Sequence, residues 1–472
     1  MKLTRGKIPL EKKQVAKVVT FFGIASIVAI AAAVLRLGIL TDETFENWYA
    51  YLMVAVGILF FTAAFLTYLL QTRRVLFKSP KILCATGTAI VIVFVVNIFL
   101  SHISLFLMPA YLTAFIVAPL VRRRVAFVSN LFANFLITFV LLAQYLQAPY
   151  FVDIYAVLSM FLVGIALGSI AAYTISVDVR RFHYIAKGFI IATIAYFLLI
   201  SLHFSFAPTV NFDIFWIAAI GVYSPIIVGM ILQPMFEMIF NLITNSKLVE
   251  ITDHNHPLIK RLREETPGTY NHCLTVANFA EICATEIGEN PYLARACAYY
   301  HDVGKLANAV YYKENQGDSN PHDDLLPEVS ADIIRSHTYE GLKLCEKHRI
   351  PAEVKNVTIE HHGTLPIPVF YNKAKNFTDS DVDISEYSYK GKTPTTKINA
   401  IIMICDAAEA AIRSMTNPDA ESVDKLLSAL INERITQKQF DNCDISLKEL
   451  NIIKHTIINV FGGLYHKRLK YN

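Results

Sequence analysis

Ala298-Tyr299-Tyr300-His301-Asp302-Val303-Gly304-Lys305 closes an apolar helical stretch on a histidine and an aspartate. His272 precedes it; His337, the adjacent pair His361-His362 and Asp406 follow, making five imidazoles and two carboxylates. Seven ligands of these types suit two divalent metal ions that share one carboxylate and leave positions open for water and substrate. The chemistry this favours is phosphoester hydrolysis.

Taken singly, each residue has a plainer reading. A lone His272 or His337 is more often satisfied or solvent-facing than a ligand, and His-Asp is a common dipeptide. Eleven of the 14 histidines, however, lie beyond residue 240, and the five singled out adjoin apolar helical stretches. Burying that many imidazoles without partners is costly, whereas coordination satisfies them. Asp406 follows the apolar run Ala400 to Cys405, where an unpaired buried carboxylate is disfavoured. His254, His256, His322, His348, His455 and His466 read as structural or exposed.

Around these residues the pattern is amphipathic helix after helix. Pro267-Gly268 marks a turn, with Thr269 expected to cap the helix that carries His272. A helix from about Pro291 is expected to deliver His301 and Asp302 at its end, with Gly304 terminating it. Ser446 with Glu449 reads as a capping box ahead of a last helix over 447–461. Strand signals are scarce, so an all-α domain is expected.

The first half is of another kind. The 472 residues are 54% hydrophobic and only 17% charged, against roughly 25% charged in ordinary soluble domains. The mean hydropathy of +0.41 comes mainly from residues 1 to 240. Measured against the roughly 20 residues that span a bilayer, the apolar runs number eight: 18–38, 49–70, 82–101, 103–121, 126–146, 154–175, 185–204 and 214–235. Lys2, Arg5, Lys7, Lys12, Lys13 and Lys17 precede the first run. Arg73, Arg74, Lys78 and Lys81, then Arg122, Arg123 and Arg124, then Arg180, Arg181 and Lys187 mark alternate connections. The intervening connections, 41–48, 101–102, 147–153 and 205–213, hold no Lys or Arg. By the positive-inside rule both the N-terminus and the second half then lie in the cytoplasm. The first run is longer than a signal-peptide core and ends at Leu35-Arg36-Leu37-Gly38, without a clean small-residue cleavage site, so it reads as a retained anchor. Asn130 and Asn134, one turn apart, are expected to bond a neighbouring helix. No charged relay or repeated broken-helix pair supports a transporter.

The expected architecture is all-α, a polytopic membrane bundle of about eight transmembrane helices followed by a cytoplasmic helical domain. Its parts are an N-terminal segment, first membrane helix and short external loop over 1–48, a seven-helix membrane domain over 49–235, a linker helix over 236–262, and the soluble domain over 263–472. The seven cysteines form no Cys-x-x-Cys pair, which suits reduced thiols. The net charge of +4 is largely accounted for by the basic membrane flanks, and no DNA or RNA polymer is expected as partner.

The series His…His-Asp-x-Gly-Lys…His…His-His…Asp resembles the HD-domain metal-dependent phosphohydrolases. Its wider setting is Asn255-His-Pro-Leu-Ile-Lys-Arg-Leu262, Thr266-Pro-Gly-Thr-Tyr-Asn-His272, Ala298 to Lys305, Glu314-Asn-Gln316 and Asn320-Pro-His-Asp323. That combination is similar to the membrane-bound 7TM-HD family of bacterial cyclic di-AMP phosphodiesterases. The resemblance implies a first metal on His272, His301, Asp302 and Asp406. It implies a second on Asp302, His337, His361 and His362, with Asp302 bridging and manganese or iron as the ions. It further implies a hydroxide between the metals that attacks phosphorus and opens cyclic di-AMP to linear pApA, with Asp302 and Lys305 catalytic and Lys305 set against a phosphate oxygen.

Two departures bear on the substrate. Gly363-Thr-Leu-Pro366 follows the double histidine in place of the Gly-Tyr-Pro signature of cyclic di-GMP hydrolases. Tyr389-Lys390-Gly391-Lys392-Thr393-Pro394 carries lysines where the family is richer in proline, so this loop is expected to be less stiff and more basic. Tyr389 and Lys390 in it are candidate substrate contacts, as is Lys305, one turn beyond Asp302. The expected partners are a cyclic dinucleotide and the lipid bilayer of a bacterial cytoplasmic membrane, with a homodimer left open. The alternatives are an HD phosphohydrolase of another nucleotide (cyclic di-GMP, a linear dinucleotide or a guanosine polyphosphate) and a non-catalytic nucleotide-binding receptor.

Overall fold

In a bilayer, a single apolar segment satisfies its backbone only by closing it into a helix. The computed structural model describes residues 11–40, 48–72, 76–77, 79–121, 123–147, 152–175, 181–206, 212–377, 381–416 and 418–464. The basic residues Lys2, Arg5, Lys7, Arg73, Arg74, Lys78, Arg122 and Arg180, residues 41–47 and His466 lie outside them. Residues 1–246 and 247–472 form two compact units.

The first unit contains α1 (Lys12–Leu40), α2 (Trp48–Thr72), α3 (Pro80–Ile103), α4 (Leu112–Val117), α5 (Arg123–Gln147), α6 (Ile154–Ile175), α7 (Arg181–Phe206) and α8 (Asp213–Ile239). Among the described residues seven of these, all but α4, are long and apolar enough to cross a membrane. Phe60, Phe197 and Trp216 are exposed on them, as suits helices bathed in lipid. This is the make-up of a multi-pass membrane protein.

The fourth apolar run is not one long helix. Ser104 accepts a hydrogen bond from the Phe106 amide to start a 3-10 turn over Leu105–Leu107, Pro109 follows, and α-helix resumes only for the six buried residues of α4. Proline lacks the donor that a continuing helix needs, and a hydropathy window is blind to that. Irregular backbone in a membrane span is tolerated where protein covers it. Here Asn134 Nδ2 donates to Ala110 O at 3.0 Å. Asn130 Nδ2 donates to Gly164 O, also at 3.0 Å, so the asparagines of α5 do bond a neighbour. Gly168 on α6 permits the approach, since a Cβ there would lie 2.1 Å from Asn130 Nδ2.

The second compact unit is helical among its described residues apart from an isolated Pro366–Ser388 bridge. After α9 (Asn245–Ile251) come α10 (Pro257–Glu265), α11 (Pro267–Ile287), α12 (Pro291–Tyr300), α13 (Pro327–Lys347), α14 (Ala352–Lys355), α15 (Val357–Glu360), α16 (Pro368–Phe377), α17 (Lys397–Ser414), α18 (Ala420–Thr436) and α19 (Leu447–Leu464). Its centre is α11, packed against α12, α17 and α19, with Val276, Ala280 and Cys283 wholly buried.

Several local expectations shift. Residues 236–262 are not a single helix, because α8 ends at Ile239 and α9 and α10 are separate. The N-cap of α11 is Thr266, with Pro267 in the first turn, where its missing donor costs nothing. Thr269 instead donates to Glu314 Oε1 at 3.1 Å. Helix α12 stops at Tyr300, and Gly304 falls within a following 3-10 turn, Val303–Ala307. Gly304 is there for close approach: a Cβ would lie 1.9 Å from His337 O and 2.5 Å from Gly341 N. The Ser446–Glu449 capping box is present. All seven cysteines are free.

Candidate metal centre

Five segments meet at one point. His272 comes from the second turn of α11, His301 from the C-terminal cap of α12, and Asp302 from the residue beyond it. His337 comes from the middle of α13, His361 and His362 from the end of α15, and Asp406 from α17. All are buried except His362, which is partly so.

Their donor atoms fall into two sets, each lying within 4.8 Å of one another: His272, His301, Asp302 and Asp406, and Asp302, His337, His361 and His362. Asp302 belongs to both. Its Oδ2 faces His301 Nε2 at 3.3 Å and His272 Nε2 at 3.7 Å. Its Oδ1 faces His337 Nε2 at 3.5 Å and His361 Nε2 at 3.6 Å. Asp406 Oδ1 lies 3.0 Å from His272 Nε2, and its Oδ2 is 3.8 Å from His362 Nδ1.

For four of the five rings the outer edge explains the inner one. Nδ1 of His301 is 2.7 Å from Ala298 O, that of His337 is 2.6 Å from Ile334 O, and that of His361 is 2.9 Å from Val357 O. Nδ1 of His272 is 2.5 Å from Glu409 Oε2. A ring that donates its Nδ1 proton outward presents a bare Nε2 lone pair inward, which is how proteins orient metal-binding imidazoles. The His337 and His361 Nε2 atoms are only 3.3 Å apart, and two lone pairs at that distance repel unless a cation lies between or beside them. His301 Nε2 and Asp302 Oδ1 are buried with no hydrogen-bond partner, a costly state that coordination would relieve. The donor set is the nitrogen and carboxylate mixture favoured by divalent transition metals. The residues present fit such ions.

Electrostatics agree. Burial alone would raise the Asp302 carboxyl, but Lys305 and His301 outweigh it and hold the group well below the usual carboxylate range. Burial disfavours the charged form of His272, yet its bonds to Asp406 and Glu409 prevail and push it up to about 10, so without an ion its Nε2 keeps a proton facing Asp406 that a metal would have to displace. For His337 burial wins over the attraction of Asp302, leaving it neutral with a pKa of about 3.

Lys305 is close but engaged: its Nζ lies 2.7 Å from both Asp302 Oδ2 and Glu314 Oε1. A cavity of about 770 Å³ opens beside the ligands and is lined by Lys305 and Tyr389 among others. Gly363, at φ +54, turns the chain just after the double histidine. The loop carrying Tyr389 then runs along that segment, with Tyr389 N bonded to Leu365 O at 2.9 Å and Ile367 N to Tyr387 O at 2.7 Å. The Tyr389 ring stacks on His362, centroids 4.2 Å apart and planes at 23°.

Lys390 is not brought in. Its side chain is exposed, it does not line the cavity, and its carbonyl accepts from Tyr339 Oη at 2.8 Å. His322, read from the sequence as structural or exposed, is buried with its Nε2 3.0 Å from Tyr311 O, and it also lines the cavity. Glu409 was missed, although its place three residues after Asp406 on an apolar helix is a usable signal. Glu360 was missed too; it anchors the double histidine to the start of α17 by accepting from Thr395 N at 2.8 Å and Asn399 Nδ2 at 2.7 Å.

Residues 269–411 match the HD domain family. The chain is 43% identical over 255 residues to the cyclic-di-AMP phosphodiesterase PgpH of Listeria monocytogenes, covering 54% of this chain and 35% of that protein. It is 40% identical over 249 residues to PgpH of Bacillus subtilis, covering 52% and 35%. The chain thus spans about a third of the length of these curated relatives. A crystal structure of the L. monocytogenes PgpH HD domain in complex with cyclic-di-AMP matches 46% of this chain and all of its own, at 43% identity and a TM-score of 0.44.

Proposed function

We propose that this chain, whose residues 269–411 form an HD domain, is a membrane-anchored, metal-dependent phosphodiesterase that opens cyclic di-AMP to linear pApA. The observation that carries the reading is the pair of four-donor sets sharing Asp302. The cavity beside them has the size of a site for a small organic ligand. The sequence likeness to PgpH supports the nucleotide, and Gly363-Thr364-Leu365-Pro366 speaks against cyclic di-GMP.

His272, His301, Asp302 and Asp406 would hold one divalent ion and Asp302, His337, His361 and His362 a second, manganese or iron as the family resemblance implies and as imidazole and carboxylate ligands permit. When bound, such ions supply water activated at neutral pH and charge neutralisation at the phosphate. The chain does the rest. Lys305 keeps Asp302 ionised and adds positive charge along the cavity wall. Tyr389, braced on His362, offers a flat face against which a base can stack. Burial of the ligands keeps bulk water out and strengthens every electrostatic contact at the site. With the broken fourth segment counted as a crossing, the basic flanks favour an orientation with the N-terminus and the HD domain both on the cytoplasmic side of a bacterial membrane.

The test uses the full-length chain in detergent, stripped of metal and reloaded with manganese or ferrous iron. Bound ions are counted by mass spectrometry, and cyclic di-AMP and cyclic di-GMP are offered side by side with products resolved by chromatography. We expect two ions per chain, pApA as product, and loss of both in Asp302→Ala. Turnover by Asp302→Ala at the unsubstituted rate would refute the catalytic reading. Tight binding of cyclic di-AMP by the loaded chain without turnover would make it a receptor instead.

A further inference from the structure

The cavity beside the metal centre carries positive charge that the centre itself does not use. Met403, Asp406, Ala407, Ala410 and Arg413 of α17 all line it, a spacing that keeps them on one helical face. Arg413 lies two turns past Asp406, about 10 Å along the axis. Helical side chains lean toward the N-terminus, so its guanidinium reaches back over Glu409, at 3.5 Å. Glu409 is itself bonded to His272, which fixes how near the guanidinium stands to the ligands. Arg434 joins the lining from α18. It is largely buried, its Nη1 is 2.6 Å from Glu433, and its Nε has no partner.

The other cations of the lining differ. Lys305 is held at 2.7 Å by both Asp302 and Glu314, whereas Arg413, exposed like Lys313, makes one looser ion pair, 3.5 Å to Glu409; Lys313 offers only a point charge. Tyr311, Ile334, Ile367, Val369 and Phe370 are aromatic or aliphatic. Two planar guanidiniums, each with donors to spare, match the oxygens of a phosphate in a way a lysine ammonium does not.

A cyclic dinucleotide brings two phosphodiesters on opposite sides of one macrocycle. Only one can lie at the metal ligands to be cut. The other enters the cavity with its negative charge intact, and leaving it unpaired there would be costly. We propose that Arg413 and Arg434 form the subsite that receives this second, uncleaved phosphate. The proposal rests on the cyclic-dinucleotide reading above and deepens it: these arginines select a substrate with two linked phosphates over a diester with one.

The experiment compares two substrates on the manganese-loaded full-length chain in detergent: cyclic di-AMP and bis(p-nitrophenyl) phosphate, which has a single phosphate. Arg413→Gln, Arg434→Gln, the double variant and the corresponding lysine variants are assayed, with bound manganese measured in each. We expect the ratio of kcat/KM for cyclic di-AMP to that for the simple diester to fall about ten- to a hundredfold in the double glutamine variant, the value of a charge-assisted contact. The fall should appear chiefly in KM, and the lysine variants should recover part of it. An unmoved ratio overturns the subsite while the unsubstituted chain's activity keeps the broader reading in place. Hydrolysis of the simple diester but of no cyclic dinucleotide by the unsubstituted chain overturns both. Should the double variant fail to fold, the same ratio in the two single glutamine variants decides.

Discussion

Glu409 sits one turn beyond Asp406 on α17 and holds its Oε2 2.5 Å from Nδ1 of His272, while Nε2 of that ring lies 3.0 Å from Asp406 Oδ1. One helix thus supplies both a candidate ligand and the group that orients another. Outer partners of this kind are worth about ten- to a hundredfold in metal affinity. Glu409→Gln should weaken manganese binding by that factor, measured by competition with a chromophoric chelator, with helical content by circular dichroism retained. Unaltered affinity would remove Glu409 from the centre's support.

Metal uptake should release a proton. His272 in the metal-free site, raised to about 10 by Asp406 and Glu409 against the opposing effect of burial, is a cation at neutral pH and must become neutral to ligate. A raised pKa favours the proton-bound, metal-free form, so affinity falls as pH falls, by about tenfold per unit from this group between neutrality and pH 10. His337, already neutral with its pKa near 3, contributes no proton. Calorimetry of manganese binding in two buffers of unlike ionisation enthalpy reads this directly, and a heat independent of buffer would contradict it.

Gly304→Ala should damage the HD domain although alanine is the mildest possible change. The added methyl would lie 1.9 Å from His337 O and 2.5 Å from Gly341 N, and backbone cannot swing aside as a side chain can. Overpacking of this kind costs about 1–3 kcal/mol and would displace the segment that carries His337. Gly317→Ala meets nothing within 4 Å and should stay within about 0.5 kcal/mol of the unsubstituted chain. Thermal unfolding with metal content in parallel separates the two; equal melting temperatures would dismiss the contact as important.

In the membrane half, Asn134→Leu should lower stability in detergent. The change deletes the donor to Ala110 O in the irregular stretch before α4, and interhelical hydrogen bonds in membranes are worth about 0.6–2 kcal/mol. Gly168→Val should be worse, because a Cβ there already falls 2.1 Å from Asn130 Nδ2. A thermal aggregation assay ranks them, and a Gly168→Val chain as stable as the original would argue against close packing of α5 on α6.

The cluster of candidate metal ligands was legible because their side-chain types are expensive to bury and scarce elsewhere, so an apolar setting around His301 or Asp406 already demands a partner. The helices were legible from the length and period of their apolar runs. What escaped notice depends on convergence. Nothing near Arg434 in sequence announces that α18 brings it to the cavity of His337, and His322 looks like a loop histidine until Tyr311 and Phe370 are seen against it. Lys390 was misplaced because its neighbour Tyr389 points inward and the next side chain along an extended segment points away. The fourth apolar run misled for a different reason: average hydropathy registers Pro109 as a single residue, whereas its effect on the backbone ends a helix.

Asp302 turns one oxygen toward His301 and His272 and the other toward His337 and His361. A carboxylate divided in this way cannot rotate to suit one side without abandoning the other. On the two-ion reading proposed above, an ion on either side would fix the carboxylate for its neighbour, and a half-filled centre would be disfavoured. Loading should be steep rather than gradual, so that a cell short of metal would hold a mixture of full and empty molecules instead of a uniform population of partly working ones.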